Sequence, residues 1–409
     1  MNPFERRAAT GLASIFGLRM FGLFLILPVF SIYGADLAGA TPALIGLAIG
    51  IYGLTQALLQ IPMGIASDHF GRKRVILAGL LVFVVGSVLA AVSDHILGII
   101  AGRALQGAGA IAAAVLALAA DLTAPQRRTR TMAIIGMSVG ASFMLALVMG
   151  PILGARFGLA ALFWVPAVLG VAAIAVLYLL VPNPEVERPH ADAEPMPGHI
   201  FDVLRNRDLL RLDSGIFCLH LILTATFIAV PVVLHQQMGL PVDRHWMVYV
   251  PVLLLSVVGL VPAIILGERY GAQRLVFRLA VLTMVVASSG LALLLDMGSS
   301  VLLALWLYFV AFNILEATLP SFVSRYAPPA YKGTALGVYA TFQFLGAFAG
   351  GVLGGIVLGT AGTGGVFLLC AGVALVWLVG ASALGRIPEA GVAPAAESVG
   401  YERRAPSAE

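Results

Sequence analysis

Twelve apolar stretches, each long enough to cross a bilayer, leave this chain few ways to fold. They run approximately over residues 11–33, 43–66, 75–92, 96–120, 131–154 and 159–181, then 212–235, 246–267, 275–295, 300–326, 334–359 and 364–385. We refer to them as segments 1 to 12. A helix needs about 20 apolar residues to span a hydrocarbon core of about 30 Å. Backbone polar groups in lipid have to be satisfied internally, which favours helices. The strict apolar–polar alternation of a membrane β-barrel is absent. The expected fold is an all-α membrane protein of twelve transmembrane helices. Charged residues make up 11% of the chain, against about 25% in soluble domains.

The basic residues set the orientation. Of the 24 Lys and Arg, Arg19 and Arg103 lie within segments, and only Arg156 and Arg244 fall in loops of one side. The remaining twenty (24 − 4) gather on the other side with both termini. Positive loops stay in the cytoplasm, so both termini are expected there, in a bacterial inner (plasma) membrane. Arg6–Arg7, an apolar run and Ala38-Gly39-Ala40 imitate a signal peptide. The run is too long for one and contains Arg19, so it is expected to be a retained helix. Cys218 and Cys370 both lie in apolar segments, outside any redox or metal spacing, and are expected to be free thiols.

Residues 182–211 divide the chain. Pro182, Pro184, Pro189, Pro195 and Pro197 disfavour a regular element. From His199 to Leu212, basic residues mix with Ile200, Val203, Leu204, Leu209 and Leu210, the pattern of a short amphipathic helix on the membrane surface. The expected organisation is a six-helix half over 1–181, a cytoplasmic linker over 182–211, a second half over 212–386 and a disordered tail over 387–409. A weak repeat supports the two halves: Gly64, Asp68, Gly71 and Arg72 after segment 2 correspond to Gly267, Glu268, Gly271 and Arg274 after segment 8.

An ionisable side chain at the centre of a membrane helix costs roughly 2.5–3.5 kcal/mol and marks function by default. Four stand out as lying well inside segments: Arg19, Arg103, His220 and Glu316, in segments 1, 4, 7 and 10. Glu316 is the first choice for proton coupling, since a carboxyl out of water readily takes a proton. The alternative is a structural bond to Asn313. His220 titrates near physiological pH and is expected to share the proton or orient the carboxylate. Arg103 stays charged and suits either an anionic group or a carboxylate partner; Arg19 either faces a cavity or snorkels to the nearer membrane surface. Phe24, Phe227, Asn313, Tyr339 and Gln343 complete the expected substrate cavity with Arg19. Few fixed charges suit amphipathic or weakly cationic compounds better than sugars.

Several motifs resemble the major facilitator superfamily across residues 1–390. Gly64-x-x-x-Asp68-x-x-Gly71-Arg72-Lys73 resembles its signature loop, and Arg103-x-x-Gln106-Gly107-x-Gly109 its helix-4 motif. Gly140 with Gly150-Pro151-x-x-Gly154 is similar to the motif of its antiporter branch. Arg19-Met20-Phe21-Gly22 through Pro28 and Leu219-His220-x-x-Leu223-Thr224-Ala225 look most like the YajR-type drug:proton antiporters. Some of those carry a soluble domain after helix 12, whose role is not carried over to residues 387–409. The resemblance implies that segments 1, 4, 7 and 10 line a central cavity and that Arg103 takes part in proton transfer. It also implies a cytoplasmic latch of Gly64, Asp68, Gly71, Arg72, Lys73 and Asp121, closed when the protein faces outward. The glycines of segment 5 and Pro151 are expected to permit close packing and a kink, with their link to antiport coming from the resemblance alone.

Proton-coupled efflux of small amphipathic molecules by alternating access is therefore expected, with protons, a small-molecule substrate and the bilayer as partners, and a monomer as the working unit. Proton-coupled uptake by symport and a non-transporting membrane sensor are the alternatives. No phosphate-cradling G-x-x-x-x-G-K-[ST] loop, metal-ligand cluster or nucleophile–base pair stands out. Neither an enzyme, a cofactor, nor nucleic-acid binding is expected.

Overall fold

A computed structural model describes residues 1–184, 197–295 and 298–385. The stretch 185–196 of the expected linker and the expected tail 387–409 lie outside the described residues. Among the described residues helices are the regular elements, and Ala38 and His95 form a lone bridge. Among the described residues, ten helices are long and apolar enough to cross a membrane.

Two features separate this number from the twelve expected segments. Segment 1 is helical over Pro3–Phe24, loses its regular bonding before Pro28, and resumes briefly over Phe30–Tyr33. Proline has no amide hydrogen to continue the ladder. Segments 11 and 12 run as one helix, Lys332–Ser382, interrupted at Gly362, where φ is 66° and ψ −168°. That conformation is open essentially to glycine alone. Gly362→Ala is expected to cost about 1–3 kcal/mol, read as a lowered denaturation midpoint in detergent.

The other boundaries follow local chemistry. Thr41 caps Pro42–Phe70, accepting from the Leu44 amide at 3.2 Å. Gly71, at φ 92°, separates that helix from Arg72–Ala91. Segment 4 is two helices, Ile96–Ala108 and Ala112–Asp121. Segments 5 and 6 form Arg128–Phe157 and Ala161–Leu179. Trp246–Arg269, Gln273–Leu293 and Ser299–Tyr326 form segments 8, 9 and 10.

Segment 7 differs from expectation at its start. The Asn206 side chain accepts from the Asp208 and Leu209 amides, at 3.0 and 3.2 Å, so the helix begins at Arg207 and runs to Val232, followed by a wider turn over Val233–Gln237. The amphipathic piece before it is only Ile200–Arg205. Leu209 and Leu210, read as part of that surface helix, belong to the long one because the cap intervenes.

The basic ends are tied to helix termini. Arg7 donates to the Leu179 carbonyl at 2.6 Å and Lys73 to that of Val181 at 2.6 Å, closing segment 6. Arg274 and Arg278 do the same for segment 12, at Leu384 (2.9 Å) and Ser382 (2.7 Å). Cations favour the carbonyl ends of helices, so these bonds give the basic residues a structural use.

Glu5 anchors the first helix at the same end. It closes a capping box with Asn2, pairs with Arg127 and accepts from the Ala124 amide at 3.3 Å. The Asn2 amide, the Arg127 guanidinium and the Ala124 amide together hold its carboxyl down at about 2 against an ordinary 4.5. A depressed carboxyl stabilises the fold fully above the unfolded value, and the contribution is lost as pH falls from about 4.5 through about 2. Glu5→Gln is expected to lower the melting temperature by a constant amount from neutral pH to about pH 5, with the difference shrinking below that. Parallel melts of the two proteins across pH check this.

Candidate functional site

Three polar groupings are embedded in the apolar bundle. In the first, Arg19 and Arg103 are each 1% exposed and share one ring. The Arg19 guanidinium lies 5.5 Å and that of Arg103 5.0 Å from the Tyr52 centroid. Arg19 donates to the Gln56 carbonyl oxygen at 2.6 Å; Arg103 donates to the Ala48 carbonyl at 3.3 Å and to Gln106 at 2.8 Å. Gln106 in turn donates to Ser87 at 2.7 Å. Arg19 thus reaches across to segment 2 and does not snorkel. Cation–π contact with Tyr52 offsets part of the cost of burying two like charges. Tyr52 and Gln56 went unnoticed in the sequence, although they lie four residues apart on one face of segment 2.

The second grouping joins segments 7, 10 and 11. His220 Nε2 is 4.0 Å from Glu316 Oε2, and the Gln343 amide donates to the same ring nitrogen at 2.8 Å. The Glu316 side chain keeps 39% of its surface accessible in mid-helix, so it borders open space. Phe312 packs beside the imidazole, with ring centroids 6.2 Å apart. Asn313 turns away, donating to Ser256 of segment 8 at 2.7 Å; it makes no bond to Glu316. Arg103 belongs to the first grouping, so the structure gathers two of the three expected proton-coupling residues and leaves the third with Tyr52, Gln106 and the Ala48 carbonyl. Phe24 meets Phe143 at 5.1 Å and Phe143 meets Phe227 at 5.9 Å, both edge to face. Phe227 is buried.

The third grouping is the signature loop. Arg72, 1% exposed, pairs with Asp68, donates to the Ser67 hydroxyl oxygen at 2.7 Å and reaches Asp121 at 3.3 Å. Gly64 allows segment 2 to approach segment 4: a Cβ there would lie 3.0 Å from that of Ala113. Of the expected latch residues, Asp68 and Asp121 therefore meet at the Arg72 guanidinium, and Lys73 is turned to Val181.

The segment 5 glycines divide. A Cβ at Gly150 would meet the Leu25 carbonyl at 2.5 Å, and one at Gly154 the Tyr33 ring at 2.7 Å. Gly140 has nothing within 4 Å of that position, which corrects the expectation of close packing there: its helix turns this face to open space. Pro151 sits within the continuous helix Arg128–Phe157.

Segments 2 and 11 touch most closely at the ends remote from the signature loop. A Cβ on Gly46 would lie 2.2 Å from the Gly351 carbonyl oxygen, and one on Gly50 2.7 Å from that of Phe348. A separate cavity of about 360 Å³, lined by Leu260, Ile264, Glu268, Phe322 and Arg325 among others, shares no lining residue with the three groupings.

One residue missed in the sequence is Asp213. It is 0% exposed, and neither carboxyl oxygen has a hydrogen-bond partner. At the very start of segment 7 it reads as a flanking polar residue; its place two turns before His220 was the available signal.

Ionisable side chains held inside a bundle of membrane-length helices, with the helices closed together at one end, define a membrane transporter. The model of the major facilitator superfamily matches residues 12–351 and 245–406, and the chain belongs to that superfamily. It is 48% identical over 388 residues to the Escherichia coli inner membrane transport protein YajR, covering 95% of this chain and 85% of the relative. An uncharacterized transporter of Buchnera aphidicola is 35% identical, covering 93% and 97%, and the multidrug resistance protein MdtH of Yersinia enterocolitica 26%, covering 82% of each. Among solved structures, the nucleoside transporter NupG superposes with a TM-score of 0.70 at 15% identity, over 92% of this chain and 99% of that one. The human organic anion transporter MFSD10 does so at 0.67 and 20%, over 93% and 100%. These two likenesses establish the fold.

Proposed function

We propose that this inner-membrane transporter is a proton-coupled antiporter that exports small amphipathic or weakly cationic molecules. The observation that carries the reading is the Glu316–His220–Gln343 grouping: a partly open carboxyl beside an imidazole, in the middle of apolar helices. Such a pair exchanges a proton without moving a fixed charge through lipid. The aromatic wall of Phe24, Phe143 and Phe227 offers a lipophilic substrate stacking area beside it. Similarity to YajR, named as an inner membrane transport protein, supports transport, and the more distant likeness to a protein named for multidrug resistance supports export.

In this reading the chain crosses the membrane twelve times. Residues 3–33 make one crossing, the two parts of segment 4 make one, and Lys332–Ser382 makes two, turning at Gly362. The halves 1–181 and 212–386 rock about the site, with the basic ends and both termini in the cytoplasm. The tight approach of segments 2 and 11 then closes the extracytoplasmic side. Asp68, Arg72 and Asp121 brace the cytoplasmic loop that latches when the halves rock the other way. Arg19 and Arg103 supply positive potential on the wall opposite Glu316, and the monomer suffices.

The test uses cells with and without the protein, loaded with ethidium and a panel of other lipophilic compounds. Export predicts lower accumulation and greater resistance for some of them, abolished by a protonophore. Raised accumulation points to uptake by symport. No change for any compound, with the protein present in the membrane, points to the sensor.

A further inference from the structure

Asp213 stands apart from the site just described and has no structural explanation. It lies on the second turn of the segment 7 helix, is 0% exposed, and lacks a partner at both oxygens. Seven residues separate it from His220, which places the two on one helix face about 10 Å apart along the axis. The direction from His220 to Asp213 leads toward Arg207 and the basic end.

The neighbouring charges do not account for it. On its own helix, Arg211 is paired with Asp208 at 2.9 Å, and Asp208 also accepts from the Gly385 amide at 3.3 Å. Arg325, on segment 10, is 3.9 Å from Glu268. Tyr326, at the end of that helix, donates to the Gly385 carbonyl at 3.0 Å. Lys332 is the one Lys or Arg on the long helix of segments 11 and 12. The short helix Ile200–Arg205 carries Asp202, turned to His199 at 3.0 Å, and Arg205. Tyr339, 6% exposed on segment 11, lies within electrostatic reach of both Asp213 and Glu316.

An ionised carboxyl without partners in such a place is costly, and a chain under no other demand replaces it with an apolar residue of similar size. A carboxyl that alternately holds and releases a proton answers that demand. We propose that Asp213 is a second proton-binding site, placed between the Glu316–His220 pair and the basic end, where it receives and delivers the protons that the pair exchanges. This rests on the proton-coupled reading above. In the step, an Asp213 carboxylate oxygen forms an O–H bond with a proton given up by hydronium, and returns it to water when the bond breaks. Tyr339 and water entering the open conformation bridge the remaining distance. No other bond changes.

The experiment uses the full chain in lipid nanodiscs, with the wild type, Asp213→Asn, Asp213→Glu, Glu316→Gln and the double variant Asp213→Asn/Glu316→Gln. Two quantities are read as pH is lowered from about 8 to about 5: protons taken up per protein, by an indicator dye, and carboxyl C=O bands in infrared difference spectra. Asp213→Asn is expected to take up about one proton fewer and to lose one band. Glu316→Gln loses a different band, the double variant loses both, and Asp213→Glu restores a shifted band. The proposal is overturned if Asp213→Asn keeps every band and the full proton count. Failure of the parent reading looks different: Glu316→Gln then keeps every band, whatever Asp213 does. If Asp213→Asn elutes as aggregate, the Asp213→Glu spectrum decides alone, because an unshifted set of bands means that residue 213 binds no proton.

Discussion

Glu316→Gln is expected to abolish proton-driven accumulation of substrate in inverted vesicles while leaving downhill exchange of that substrate measurable. Glutamine keeps the size and hydrogen-bonding reach of the side chain opposite His220 Nε2, now 4.0 Å away, but cannot take and release a proton. A positioned proton-transfer side chain accounts for roughly 10²–10⁴-fold in rate, so the coupled flux should fall by at least about 100-fold. The paired measurement matters. Loss of both activities means that the variant has lost its shape, and intact coupled transport removes Glu316 from the coupling step. His220→Gln, which keeps a polar partner for Gln343, is the natural companion.

Gly46→Val is expected to shift the protein away from the arrangement seen here. The added Cβ would sit 2.2 Å from the Gly351 carbonyl oxygen, backbone against side chain with no flexible group to yield. Overpacking of this kind costs about 1–3 kcal/mol, a change of about 5- to 150-fold between two global states. In the proposed alternating-access cycle segments 2 and 11 separate at that end in the other state, so the cost falls on this one. Spin labels on the two ends, at Thr41 and Thr360, should report a longer distance in the variant. An unchanged distance distribution would mean that the contact is not a gate.

The apolar segments were legible because a bilayer imposes a length and a composition that few other structures share. Most helix ends fell within a few residues of the expected ones, since caps such as Thr41 and Gly71 are written locally. Segment 7 began earlier because Asn206 lies among charged residues that hydropathy alone assigns to a loop. The same bias hid Asp213: at a segment's edge a carboxyl reads as solvated, and only the packing of neighbouring helices removes it from water. The pairing of Glu316 with His220 was suggested by their shared mid-membrane position, but Gln343 as the third member needed the register of segment 11. Its mid-membrane position and the family resemblance grouped Arg103 with them; its actual partners include Tyr52 and the Ala48 carbonyl of segment 2, and no periodicity reveals which neighbouring face an arginine selects.

The direct test of proton antiport is a flux measurement on the purified protein in liposomes that hold a trapped pH indicator. A gradient of a compound identified by the resistance screen is imposed with no initial pH difference. Antiport predicts that protons move opposite to the compound, in proportion to it, and that Glu316→Gln liposomes stay flat. Protons moving in the same direction as the compound, or compound crossing with no proton movement, would contradict it.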